Sequence, residues 1–256
     1  MVEVIRSIAN PRIRRLRALR HKKYRRTAGL FLAEGLRLGL EALDEGWTPA
    51  AVAYAAGREE HAGVRRLIQA AGEALPCTSE VLSSLSGKDN PQAVVSAFPV
   101  RHRTLAQVSQ GLVLAAERLR DPGNLGTLLR ACDGAGAVAL VLVGTCADPF
   151  SPEAVRASMG AVFTVPVAMA QPAEFLEWAR ARHLVGAALD PAACDYRVGP
   201  WPHDTVILLG NEGEGLPADL KAACRRLVRI PMRGRADSLN VAMAGTLLLY
   251  EAIRSR

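Results

Sequence analysis

From residue 111 onward, six short apolar runs alternate with stretches of helical composition, and that alternation limits the fold more than any other feature. The runs Leu112–Ala116, Val138–Val143, Val162–Val165, Leu184–Leu189, Val206–Leu209 and Leu227–Ile230 have the length and bounding residues of buried strands. Helices are expected between them, near Leu125–Cys132, Pro152–Ser158, Pro172–Arg182, Pro217–Ala223 and Leu239–Arg254. Strands buried on both faces and joined by helices make a parallel sheet, so an α/β fold with helices on both faces is expected. Half of the 256 residues are hydrophobic and only 5% aromatic. That balance suits helix-covered parallel sheet better than a β-sandwich.

Residues 1–98 read as a separate, smaller α/β domain. Strands are expected at Phe31–Glu34, Ala50–Ala55, Ala74–Thr78 and Ala93–Phe98. Helices fall between them: from Gly35 to about Glu45, Arg58–Ala71, and a short one capped by Ser79 that ends near Leu85. Asn10-Pro11 marks a turn into a basic helix, Arg12–Tyr24. The polar stretch 99–110, with Arg101, His102 and Arg103, reads as a linker, leaving 111–256 as the second domain.

Charge is unevenly placed. Residues 1–26 hold ten Lys or Arg against one acid, Glu3, whereas the whole chain carries +7, so the remainder is near −2. A basic block on an almost neutral body points to a polyanion, most commonly nucleic acid; a merely solvated helix is the alternative. Ile5, Ile8, Ile13, Leu16 and Leu19 recur among the cations at near-helical intervals. This arm should therefore pack one face and keep the other basic. Arg12, Arg14, Arg15, Arg17, Lys22, Lys23, Arg25 and Arg26 are the candidate RNA contacts.

Several functions are excluded or disfavoured. Five scattered cysteines without a Cys-x-x-Cys pair read as reduced, packed thiols of a cytoplasmic protein. No N-terminal leader is evident, and the longest apolar stretches fall short of the roughly 20 residues that span a bilayer. The five histidines have no metal-ligand spacing, so no metal is expected. Gly134-Ala-Gly136 resembles a dinucleotide turn as text but precedes its strand. Ala157-Ser158-Met159-Gly160 lacks the first glycine of a nucleophile elbow.

Three segments remain. Glu117–Arg130 follows a strand, with Pro122-Gly123 as a tight turn, Asn124 as a helix cap and Arg130 about two turns along the helix. Gly210-Asn211-Glu212-Gly213-Glu214-Gly215 closes another strand, its glycines permitting close approach of a ligand to the backbone. Ile230-Pro-Met232 leads to Asp237-Ser238-Leu239-Asn240, with Ser238 as a candidate N-cap of the last helix. Loops at strand ends are where open α/β sheets hold their ligands.

Together these segments resemble the SpoU (TrmH-like) branch of the SPOUT RNA methyltransferases, in order and spacing: Asn124–Arg130, Gly210–Gly213 and Ile230–Val241. Val155-Arg156-Ala-Ser158-Met-Gly160-Ala is also similar to the family. Ser7–Asn10 and Phe31–Gly35 are similar to a substrate-binding domain related to ribosomal RNA-binding proteins. The resemblance implies transfer of a methyl group from S-adenosylmethionine to a ribose 2′-hydroxyl of RNA. It also implies a deep trefoil knot in the second domain and a homodimer that completes the active site. Ribosomal RNA is the preferred substrate, with tRNA as the alternative; a non-catalytic RNA-binding or assembly protein is the rival from another class. By the same resemblance, Gly210, Ile230 and Leu239, with Met232 and Leu189, should line the cofactor. Arg130 should confront the hydroxyl as base or as stabilising cation. Asn124 should orient it, Glu212 and Asn240 should fix the loop and the ribose, and Ser238 should touch substrate.

Overall fold

A computed structural model describes residues 3–254; the terminal positions 1–2 and 255–256 of the two expected domains lie outside the described residues. The chain forms two compact units: one comprises the chain up to Val100 together with Phe150–Phe163, the other Arg101–Pro149 and Thr164 onward.

In the first unit, α1 (Pro11–Ala18) begins where Asn10 accepts a hydrogen bond from the Arg12 amide and Pro11 needs no donor. It is followed by α2 (Lys22–Ala28), β1 (Leu30–Glu34), α3 (Leu36–Asp44), β2 (Ala51–Ala55), α4 (Ala62–Ala70), β3 (Ala74–Cys77), α5 (Ser79–Ser86) and β4 (Val94–Pro99). The sheet order is β1-β4-β2-β3, with β4 antiparallel to β1 and β2, and β2 parallel to β3. Ile13, Leu16 and Leu19 pack with Leu75, Val81, Leu82 and Leu85, each such burial contributing about 1.5–3 kcal/mol. Ile8, expected on the same apolar face, is 40% exposed.

The single basic helix expected over Arg12–Tyr24 is two helices. Arg25 causes the break to hold: its guanidinium donates to the carbonyls of Leu19 (2.8 Å) and Arg20 (2.9 Å), satisfying groups left over at the end of α1. Arg25 is 4% exposed and is therefore removed from the candidate RNA contacts.

In chain order, the rest is β5 (Val113–Glu117), α6 (Pro122–Gly134), β6 (Ala139–Val143), α7 (Pro152–Ser158), α8 (Ala161–Thr164), β7 (Val167–Ala170), α9 (Pro172–Ala179), β8 (His183–Ala187), β9 (Cys194–Asp195), β10 (Thr205–Leu209), α10 (Ala218–Ala223), β11 (Arg226–Arg229) and α11 (Val241–Arg254). The strands of the second unit form one seven-stranded sheet, order β7-β6-β5-β10-β8-β11-β9, parallel at every pairing. β5, β6 and β10 are buried at every position, as continuous apolar strands require. A Cβ at Gly245 of α11 would stand 2.6 Å from a methyl of Leu128 and 2.8 Å from one of Leu209, so glycine lets α11 lie close to α6 and β10 without displacing these two side chains.

Two expectations are corrected. Val162–Val165 is not a strand: α8 covers Ala161–Thr164, and the strand comes after Pro166. A short apolar run does not distinguish helix from strand by period. Here Phe163 packs on Phe31, Trp47 and Phe98, and its carbonyl accepts from the Trp47 indole at 2.9 Å, which joins Phe150–Phe163 to the first unit. The stretch 99–110 is not a free linker. Arg103 donates to Val167 at 2.9 Å, and Leu105 and Val108 enter the core of the second unit. The two-residue β9 had no sequence signal.

Candidate active site

The carboxyl ends of β8, β10 and β11 and the start of α11 enclose a cavity of about 850 Å³, within the range of small-molecule sites. Its apolar floor comes from Leu209, Val228, Ile230, Val241 and Leu248; Asp121, Asn124 and Glu212–Gly215 form polar walls. The turn after β10 is shut by reciprocal backbone hydrogen bonds between Asn211 and Gly215, 3.1 and 2.9 Å. A Cβ at Gly210 would meet the Gly215 carbonyl carbon at 2.4 Å, so the turn closes this tightly only over glycine.

Three side chains from the three motifs form one hydrogen-bonded chain. Asn240 accepts from the amides of Ala242 (2.9 Å) and Met243 (3.4 Å), which makes it the cap of α11. Its own amide donates to the Asn124 carbonyl oxygen at 3.0 Å, and the Asn124 amide donates to the Glu212 carboxylate. Each amide thus uses its acceptor on one neighbour and its donor on the next, which fixes its orientation.

Both capping expectations shift by a few residues. Asp121, not Asn124, caps α6, accepting from the Asn124 amide at 2.6 Å; that frees the Asn124 side chain to cross to Glu212. Asn240, not Ser238, caps α11. The sequence offers several cap-competent residues in a row at both places, and propensity does not choose among them.

Gly210, Ile230, Met232, Leu239, Leu189 and Ser238 all line the cavity, Leu189 at its rim with 70% exposure. Arg130 does not. It is exposed on α6, six residues and so about 9 Å along the axis from Asn124. Of the basic arm, Arg12, Arg14, Arg15, Lys22, Lys23 and Arg26 are exposed and Arg17 half-buried; Arg12 pairs with Glu73 at 3.2 Å. Sequence reasoning passed over Asp121, Asn211, Glu214, Lys221 and Arg229, which also line the cavity. The Asx pattern at Asn211-Glu-Gly was the available signal for one of them. The cysteines are free thiols; burial pushes Cys77 up to about 12 and Cys224 up to about 11, leaving no thiolate for nucleophilic chemistry there. Among the described residues no helix is long and apolar enough to cross a membrane.

The sequence matches the SpoU rRNA Methylase family over residues 111–250 and the MRM3-like substrate binding domain over residues 10–96. It is 32% identical over 260 residues to a 23S rRNA (uridine(2479)-2'-O)-methyltransferase of Streptomyces viridochromogenes, covering 96% of this chain and 91% of that protein. It is 29% identical over 248 residues to the 23S rRNA (guanosine(2553)-2'-O)-methyltransferase RlmP of Bacillus subtilis (strain 168), covering 96% and 97%. The crystal structure of an AdoMet-bound rRNA methyltransferase from Sinorhizobium meliloti matches with a TM-score of 0.91 at 40% identity, covering 98% of this chain and 97% of that one. With the first of these matches spanning more than half of its length, the chain belongs to the SpoU rRNA methylase family.

Proposed function

We propose that the protein is a cytoplasmic, homodimeric RNA methyltransferase that transfers a methyl group from S-adenosylmethionine to a ribose 2′-hydroxyl of ribosomal RNA. The observation that carries this is the Asn240–Asn124–Glu212 hydrogen-bonded chain on the wall of the cavity. The residues present fit the cofactor. The glycine-closed turn admits backbone contact at Gly210, and the floor offers apolar surface beside Ile230 and Leu239. Met232 and Leu189 complete its rim. S-adenosylmethionine supplies an electrophilic methyl group when bound there.

The nucleophile is a ribose hydroxyl, which gains reactivity as its proton passes to solvent water. A guanidinium is a poor proton acceptor, so we assign Arg130 to stabilising the oxygen as negative charge develops. Asn124, Glu212 and Asn240 set the wall against which the ribose is held, with Ser238 beside them.

A second copy of the chain supplies the missing half of the site. Arg130 lies outside the cavity of its own chain, and α11 exposes Met243 (62%), Leu247 (40%) and Tyr250 (48%) at helical spacing. The Tyr250 hydroxyl lies over the end of α6, 3.0 Å from where a Gly134 Cβ would be. An apolar stripe beside the helix that carries Arg130 suits a symmetric contact that brings Arg130 to the other copy's cavity. The family resemblance implies a trefoil knot in the second unit, a rare exception to unknotted folds. The first unit presents substrate RNA through Arg12, Arg14, Arg15, Arg17, Lys22, Lys23 and Arg26, in a role like that of ribosomal RNA-binding domains. The names of the relatives support ribosomal RNA over tRNA.

Calorimetry with S-adenosylmethionine tests the cofactor, and mixing inactive variants tests the dimer. Arg130→Ala and Glu212→Gln, each inactive alone, should regain activity when mixed, because one of the two sites is then intact. Absence of cofactor binding would reject the reading; absence of complementation would reject a shared site.

A further inference from the structure

The residue that follows β5 has an unusual backbone and several partners. Arg118 adopts φ 45°, in the left-handed region that side-chain-bearing residues seldom occupy. Its guanidinium donates to Glu117, whose carboxylate is 3% exposed, and pairs with Glu214 at 2.7 Å. Its carbonyl accepts from the Asn211 amide at 3.0 Å. Asn211 in turn accepts from the amides of Gly213 (3.0 Å) and Glu214 (3.3 Å). One residue therefore holds the Gly210–Gly215 turn by backbone and by side chain.

We infer that Arg118 is a positioning residue which pins this turn, and with it Gly210 and Glu212, in the form that binds the cofactor. The strained backbone directs its carbonyl to Asn211, while the guanidinium fork joins the buried Glu117 to the exposed Glu214. Strain of this kind persists only where the surroundings over-determine it, and the three contacts of Arg118 do so. The turn itself carries Gly213 and Gly215 and has little apolar anchorage of its own; Glu214 is 63% exposed at its side chain. Arginine suits the task because its planar fork serves two carboxylates at once, which a lysine ammonium does not reproduce. The inference rests on the proposed function only in naming the cofactor; the pinning of the turn does not depend on it.

Hydrogen exchange of the cofactor-free protein tests the pin directly. In Arg118→Ala, and more mildly in Glu214→Gln, the amides of Gly213 and Glu214 should exchange about tenfold faster, with the amides of β10 unchanged. Arg118→Lys should fall between Arg118→Ala and the wild type. The dissociation constant for S-adenosylmethionine should rise by a similar factor, since the cofactor then selects the ordered turn from a looser ensemble. Removing Arg118 leaves Glu117 buried without its cation. Should Arg118→Ala fail to fold, Glu214→Gln decides the matter, because it breaks only the exposed half of the bridge. Wild-type exchange at Gly213 and Glu214 in Glu214→Gln and Arg118→Lys overturns the inference. If the wild type binds no S-adenosylmethionine, the functional reading fails, and the exchange data still decide the pin.

Discussion

Asn124 and Arg130 stand on the same helix, six residues apart, and their surroundings differ sharply. The Asn124 side chain is held at both ends, by Asn240 and by Glu212; Arg130 is exposed and lies off the cavity wall. One half of the motif is organised within a single chain. The other half is set for something the single chain does not supply, which on the present account is a second copy and an RNA. The contrast separates residues that build the pocket from residues that act on substrate, and substitutions should sort accordingly.

Arg130→Ala should show the largest effect. Methyl transfer should fall by about a thousandfold, as for loss of a group that stabilises developing charge, while calorimetry finds the cofactor affinity unchanged. A parallel loss of cofactor binding would erase the contrast with Asn124. Gly210→Ala should raise the cofactor dissociation constant about a hundredfold, because the added carbon forces the turn open against backbone. Asn124→Asp should lower the rate roughly thirtyfold at alkaline pH by placing a second carboxylate against Glu212. That rate should recover as pH falls, since a proton shared between the two carboxylates restores a hydrogen bond; a flat pH profile would count against the observed pairing.

The sequence carried unequal amounts of this. The strands β5, β6 and β10 were readable because burial on both faces leaves an unbroken apolar run. The three motif loops were readable because glycine, proline and short polar side chains cluster there for backbone reasons. What the sequence hid is non-local. Of the partners of Phe163 that turn Val162–Val165 into helix and draw Phe150–Phe163 into the first unit, Phe98 is 65 residues away in the chain and Phe31 is more than a hundred. The same is true of Trp47, whose indole meets the Phe163 carbonyl. Arg25 reads in the sequence as one more surface cation, whereas its guanidinium sits on carbonyls at the end of the preceding helix. The choice of Asp121 over Asn124, and of Asn240 over Ser238, as caps turns on one or two residues, finer than local propensity resolves.

Smaller effects sharpen the comparison from the other side. Neutralising the exposed Arg14, Arg15, Lys22 and Lys23 should weaken RNA binding about tenfold and reduce the slope of log affinity against log salt by roughly 3, without altering cofactor binding; filter binding across a salt series would measure it. Ser238→Ala should change thermal stability by less than about 0.5 kcal/mol, because Asn240 already caps α11. A larger loss would show that Ser238 supports the helix start after all.

The most direct measurement is to incubate the protein with S-adenosylmethionine bearing a labelled methyl group and with unmodified ribosomal RNA, then to map the label by nucleotide and by atom. The account predicts one position, methylated on the ribose 2′-oxygen, and none when Arg130 is alanine. Label on a base, or no transfer to RNA by a protein that binds the cofactor, would contradict it.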